Sequence, residues 1–388
     1  MWFFSSPQIA FGEGALQALA ELAGKRALVV TDATLVALGL VDRVMARLAE
    51  AGIEAYIFDA VEPDPSVQTV RQGAEVAQEV APDWIVGVGG GSPMDAAKAI
   101  WVLYERPDLA PAEISPFISL GLRQKARLAT VPTTSGTGSE VTWAIVLTDT
   151  EEQRKMGLGN RENVADIAVV DPEMAAGMPP ALTADTGLDA LTHAVEGYTC
   201  TWHTDLTDGL CVKAARLIFS YLPRAVADGS DMEARERMHN AATCAGLGFG
   251  NAMASVAHAM GHVLGAVFHI PHGRAVSLCL PYTLEFAARE VPDRLADLAA
   301  LVGRSGADTA QGAACDLAAR IRDLARQVGN PTSVAQLGLA RETFESYLEK
   351  LVDDAFNDTQ MLTACRSPSY DEMRQLFLYA YDGRPIDF

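Results

Sequence analysis

The chain has 388 residues, 49% of them hydrophobic and 21% charged, with 32 Gly and 19 Pro. That length can bury two ordinary cores, and the composition excludes collagenous, disordered and repeat proteins. The formal net charge of −20 repels nucleic acid, and the densest basic cluster, Arg123, Lys125 and Arg127, is too short to offset it.

The first residues, from Met1 to Pro7, carry neither a basic segment nor a long apolar run, so no signal peptide is expected. An apolar, valine-rich run from Lys25 to Thr31 predicts a strand ending at Asp32. Asp42 to Ala51 has helical spacing, Glu54 to Val61 reads as a second strand, and Val67 to Val80 as a second helix. Asp83 to Val88, Arg127 to Val131 and Ile167 to Asp171 read as three further strands. Alternating β and α segments predict a parallel sheet covered on both faces. From about Met178-Pro179-Pro180 onward the periodicity is helical. The expected organisation is therefore an α/β dinucleotide-binding domain over 1–178 and an all-α domain over 179–388.

The cysteines, Cys200, Cys211, Cys244, Cys279, Cys315 and Cys365, form no C-x-x-C pair. A chain this long needs no disulfide scaffold, so free thiols in the reducing cytoplasm are expected. Between Arg237 and Arg274 there is no Asp, Glu, Lys or Arg. The histidines within this stretch argue for a buried helical pair lining a site and against a membrane span.

Gly87-Val88-Gly89-Gly90-Gly91-Ser92-Pro93-Met94-Asp95 follows a strand and opens a helix. Glycines let the backbone approach a ligand, and a helix N-terminus favours a phosphate. Ser92 is the expected N-cap, Pro93 the first helical residue and Asp95 a capping-box acid. The loop departs from the Rossmann fingerprint, because a third glycine would fall at Ser92; a purely structural turn is the alternative. A second loop, Val131 to Glu140, is crowded with hydroxyls and glycines. Two such loops after two strands of one parallel sheet point to a dinucleotide across the strand ends. Asp32 is placed either to bond both ribose hydroxyls of an adenosine or to cap a helix.

All seven histidines lie between His193 and His272. Asp189 and His193 are four apart in a helix-like stretch, as are His258 and His262, so each pair shares one helix face. His272, between Pro271 and Gly273, belongs at a helix end or loop. Buried imidazoles and carboxylates need partners, and one divalent metal such as Fe(II), Zn or Mn serves all of them. His203, His239 and His269 are read as structural.

With these motifs in hand, the chain resembles the iron-containing (group III) alcohol dehydrogenases, whose fold is shared with dehydroquinate synthase and glycerol dehydrogenase. The resemblance runs end to end. It rests on Gly89 to Lys98, Pro132 to Glu140, Thr186 to Tyr198, His258 to His262, and Pro271-His272-Gly273. It implies a metal held by Asp189, His193, His258 and His272, with His262 the non-ligand histidine beside the nicotinamide. It further implies that Gly90, Gly91 and Ser92 hold the pyrophosphate, with Gly89 and Asp95 in the same cofactor site, and that Thr133, Thr134, Thr137, Thr142 and Lys155 line the rest of the cofactor groove. Asp32 falls where an acid favours NAD over NADP. Three stretches depart from the family pattern and bear on the substrate: Asp358 to Arg366, where an Asn-Pro-Arg element is usual, Trp143, and Met253 to Val256.

The implied reaction is reversible hydride transfer between a primary alcohol or diol and its aldehyde, with NAD as cofactor and Fe(II), or else Zn or Mn, as metal. The small-molecule substrate is the expected partner, with no nucleic acid or membrane, and a homodimer or larger homo-oligomer is the expected assembly. Two rival chemistries share these motifs. One is a non-redox lyase of the dehydroquinate synthase type, which needs a basic pocket, and few Lys or Arg lie near the metal motifs. The other is hydride exchange between a hydroxyacid and an oxoacid. A non-catalytic scaffold has no use for open metal and cofactor sites.

Overall fold

The computed structural model describes residues 3–150, 154–303 and 306–388. Its contacts divide the chain into two units, Met1–Gly177 and Met178–Phe388.

Among the described residues the first unit is built on eight strands and five α-helices. They run β1 (Gln8–Phe11), β2 (Arg26–Val30), α1 (Ala33–Ala37), α2 (Leu40–Glu50), β3 (Glu54–Phe58), α3 (Val67–Val80), β4 (Trp84–Gly89) and α4 (Gly91–Glu105). Then follow β5 (Arg127–Pro132), β6 (Ala144–Asp149), β7 (Arg154–Gly159), β8 (Ile167–Val170) and α5 (Pro172–Ala175). Six strands form one parallel sheet in the order β1-β8-β5-β4-β2-β3. The central strands β4 and β8 are buried along their whole length, as a parallel sheet covered on both faces requires. The edges β1 and β3 stay partly exposed. Side chains alternate between two cores: Leu28, Val30, Ile85 and Leu128 enter one, and Ala27, Val29, Val86 and Ala129 the other.

Two features of this unit are absent from the sequence expectations. One is β1, which is only four residues long. The other is the antiparallel hairpin β6–β7, paired from Ala144↔Gly159 to Asp149↔Arg154. Its signal is a short alternation, with Ile145 and Leu147 buried and Val146 exposed between them.

The second unit contains no strand among the described residues. Its helices are α6 (Pro180–Thr199), α7 (Asp205–Ala227), α8 (Met232–Asn251), α9 (Val256–Phe268), α10 (His272–Ala287), α11 (Pro292–Val302), α12 (Ala310–Gln327), α13 (Arg341–Phe356) and α14 (Tyr370–Asp382). They share one apolar core rich in Ala and Leu. Helices α6, α9 and α10 are buried over most of their length, so polar residues on them must find partners inside the protein. No described helix is long and apolar enough to cross a membrane. All six cysteines are free thiols.

Candidate metal and cofactor sites

Helix α6 places Asp189 and His193 one turn apart, and α9 does the same for His258 and His262. His272 is the first residue of α10, directly after Pro271. That start is pressed close to α6: a Cβ on Gly273 would sit 2.4 Å from the Asp185 carbonyl oxygen. Asp185 also accepts two hydrogen bonds from Arg274, each 3.0 Å, and one of 2.9 Å from Asn330. This pins the α10 terminus so that His272 Nε2 lies 3.5 Å from Asp189 Oδ1.

Asp189, His193, His258 and His272 thus bring one donor atom each within 4.8 Å of one another. The rings of His193 and His258 stack at 4.6 Å, with Phe249 stacked 4.0 Å away on His193. The first three residues are buried, whereas the His272 side chain is 38% exposed, so the cluster is reached from its side.

The donors fit a divalent cation. Asp189 Oδ1 and His258 Nε2 are buried without a hydrogen-bond partner, a costly state unless another group takes their lone pairs. Burial, with Asp185 nearby, pushes the Asp189 carboxyl up to about 8. Burial pushes the His258 imidazole down to about 3, and so keeps it in its neutral, ligating form. One carboxylate with three imidazoles suits Fe(II), Zn or Mn.

Two carboxylates that the motif reading did not single out for a role stand behind this cluster. Glu196 Oε2 lies 2.5 Å from His258 Nδ1. Asp358 Oδ2 lies 2.8 Å from His262 Nδ1, and Asp358 Oδ1 accepts the Gln360 N–H at 2.8 Å. Burial raises Glu196 to about 7 although backbone N–H groups oppose the shift. Asp358 is held below its ordinary value by its hydrogen bond to His262, against the effect of burial. The signal for Glu196 was the continued stripe Asp189, His193, Glu196 along α6; Asp358 opens the stretch that departs from the family pattern, a signal that pointed to the substrate and not to His262. His262, a quarter exposed, stacks at 5.4 Å on His272. His239 is buried in α8, His269 ends α9 with φ 55°, and His203 lies 3.5 Å from Asp208.

In the first unit the glycine loop is differently capped than the sequence suggests. Gly90 is the N-cap and α4 begins at Gly91, so Ser92 and Asp95 lie inside the helix. The chain turns tightly at Gly89, whose φ of 154° only glycine adopts readily, and a Cβ there would sit 2.5 Å from the Pro93 ring. That turn brings the helix start two residues forward and leaves Ser92 to accept the Asp64 N–H at 3.3 Å. Asp95 is no capping-box acid: it accepts the Ser139 hydroxyl at 2.6 Å and the Val146 N–H at 2.9 Å.

Asp95 shares this role with Lys98, which is fully buried. The Lys98 ammonium donates to Ser139 Oγ at 2.8 Å, the Ala144 carbonyl at 2.9 Å and Thr142 Oγ1 at 3.4 Å. The two residues thereby tie the hydroxyl-rich loop to the first half of α4. The Thr133 N–H bonds the Gly89 carbonyl at 2.9 Å, and Gly90 and Gly91 face Thr134 and Thr137, where added Cβ atoms would sit 3.4 and 3.2 Å from those side chains. Thr134 Oγ1 is buried without a partner, an acceptor and donor suited to a ligand. Lys155, on β7, pairs with Asp64 at 2.8 Å. Of the predicted cofactor residues, Gly89, Gly90, Gly91, Ser92, Asp95, Thr133, Thr134, Thr137 and Thr142 are therefore gathered at one end of the sheet, with Lys155 joined through Asp64. Asp32 caps α1, accepting the Leu35 N–H at 3.0 Å, and its backbone bridges to Ala60.

Residues 6–172 match the family profile described as iron-containing alcohol dehydrogenase, and residues 183–381 match the C-terminal domain of the Fe-containing alcohol dehydrogenase family. The chain is 40% identical over 391 residues to an NADPH-dependent butanol dehydrogenase of Clostridium saccharobutylicum, a match covering 100% of both proteins. It is 35% identical over 352 residues to the lactaldehyde reductase of Escherichia coli (strain K12), covering 89% of this chain and 91% of that one. A crystal structure of a 1,3-propanediol oxidoreductase has a TM-score of 0.93 at 36% identity, covering 98% of this chain and 100% of the other. The chain belongs to the iron-containing alcohol dehydrogenase family.

Proposed function

We propose that the protein is a metal-dependent dehydrogenase that interconverts a short primary alcohol or diol and its aldehyde with NAD(H). The observation that carries this reading is the meeting of one buried carboxylate and three imidazoles within 4.8 Å. Asp189, His193, His258 and His272 would hold the metal, Fe(II) by family and Zn or Mn by donor chemistry. The glycine loop, Ser92, Asp95 and the threonines would hold the dinucleotide, with the free amides of α4 toward its phosphates. When bound, the metal polarises the alcohol or carbonyl oxygen and the nicotinamide accepts or returns the hydride.

The protein's own groups do the rest. With Nδ1 tied to Asp358, His262 keeps Nε2 to take the alcohol proton and pass it to solvent. Lys98 and Asp95 hold the hydroxyl loop against α4, which preserves the cofactor seat between turnovers.

NAD is preferred over NADP in this reading. Asp32, Asp59, Glu62 and Asp64 follow β2 and β3, and no Lys or Arg lies between Arg26 and Arg43 or between Glu54 and Arg71. A 2′-phosphate beside Asp32 would meet a carboxylate, and Lys155, which reaches this group of acids, is engaged by Asp64 at 2.8 Å. The NADPH dependence named for the Clostridium relative makes this the first point to test. Six free thiols suit the cytoplasm, and a homo-oligomer is the assembly proposed.

The test is NADH absorbance with Fe(II)-loaded protein and a panel of short alcohols and diols, with NADP in parallel. NADH formation that a chelator abolishes is the expected result. Bound metal and dinucleotide without net NADH would replace this reading with the lyase or hydride-exchange chemistry.

A further inference from the structure

Helix α6 carries Asp189, His193 and Glu196 on one stripe, spaced four and three apart. Two belong to the donor cluster. The third is buried and turned to α9, where three donors converge on its two oxygens. Oε1 accepts the Ala257 N–H at 2.6 Å. Oε2 accepts the Ser255 N–H at 3.0 Å and meets His258 Nδ1 at 2.5 Å. Ser255, the N-cap of α9, makes no capping bond with its own side chain, so Glu196 caps that helix from a neighbouring one.

We propose that Glu196 is a positioning residue for the metal, an inference that rests on the assignment of His258 as a ligand. Ionised and bonded to two backbone N–H groups, Glu196 can only accept from His258 Nδ1, so the ring proton is held there. Nε2 is then the one lone pair that His258 can offer, and it is the buried atom without a partner. One side chain thereby fixes the start of α9, the rotation of the His258 ring and its tautomer.

Glu196→Gln separates these functions from mere packing. An amide has one acceptor oxygen: placed at Oε2 it keeps the Ser255 N–H and His258 Nδ1 and abandons the Ala257 N–H, and placed at Oε1 it turns its nitrogen to the Ser255 N–H and donates to Nδ1. The second choice leaves the proton on Nε2, the tautomer that cannot ligate.

The experiment is Zn(II) affinity by chelator competition, on wild type, Glu196→Gln and Leu324→Ala. Leu324 is buried in α12, and its truncation lowers stability without touching the cluster. We expect Glu196→Gln to weaken Zn(II) binding roughly 10–100-fold, with Leu324→Ala binding as wild type. Should Glu196→Gln not accumulate, Glu196→Asp keeps the charge but withdraws it by one methylene and is read in the same way. Wild-type affinity in the Glu196 variant, or equal weakening in the Leu324 control, overturns the proposal. A wild-type protein that binds neither Zn(II) nor Fe(II) overturns the metal-site reading beneath it.

Discussion

The proposed dinucleotide seat at the glycine loop of the first unit and the proposed metal site at the histidine cluster of the second are built by opposite means. The loop works with backbone: Gly89 bends, Gly90 and Gly91 keep space clear, and free amides open α4. Its charged pair, Lys98 with Asp95, is satisfied inside the unit by hydroxyls and a carbonyl. The cluster works with side chains in a dry helical core, and it leaves Asp189 and His258 with unsatisfied atoms. A seat made of backbone leaves little for its ligand to satisfy beyond Thr134 Oγ1, whereas a cluster of buried donors would be completed by a cation.

The largest expected effect breaks the cluster itself. His272→Ala should empty the metal site and abolish turnover, read by metal content per chain and NADH formation. His262→Ala should leave metal content intact while lowering kcat roughly 10²–10⁴-fold. Equal metal loss in the two variants would remove the division between ligand and proton carrier. On the loop side, Gly89→Ala forces a Cβ toward Pro93 and strains the turn by about 1–3 kcal/mol. The KM for the dinucleotide should rise about tenfold or more with metal content unchanged, and a matching loss of metal would show that the two seats are not independent.

The contrast in completeness can be sharpened by pH. Burial, with Asp185 nearby, pushes the folded Asp189 carboxyl up to about 8 from its ordinary 3.8. A raised carboxyl pKa favours the folded state at low pH, and that contribution is lost as pH rises through about 8. Chelator-treated protein should therefore lose melting temperature from pH 5 to pH 8, while metal-loaded protein should not, because the cation takes the proton's place. Parallel curves for the two samples would contradict the assignment of Asp189. The smallest effect concerns Asp32. Asp32→Ala should remove a helix cap worth about 1 kcal/mol and raise NADP use relative to NAD. Unchanged cofactor preference would leave Asp32 a cap alone.

Much of this was legible in the residues themselves. The valine-rich runs gave the central strands because a buried parallel strand needs apolar side chains on both faces. The i,i+4 pairs Asp189/His193 and His258/His262 were readable because helical period alone sets which residues share a face. Less local features were not. Hairpin β6–β7 has a short alternation that competes with loop composition, and β1 is held by its pairing with β8. The cap of α4 moved to Gly90 because the turn at Gly89 has a backbone freedom that residue type permits but does not demand.

Sequence alone thus determined which groups are available for chemistry and which of them share a helix face, since these follow from residue identity and a fixed period. Tertiary structure decided which groups meet. It set His272 against Asp189 across 83 positions by a close approach at Gly273. It brought Asp358 to His262 over a separation of 96 residues, and Glu196 to His258 over 62. Such meetings depend on packing between elements, where distance along the chain carries no information about distance in space.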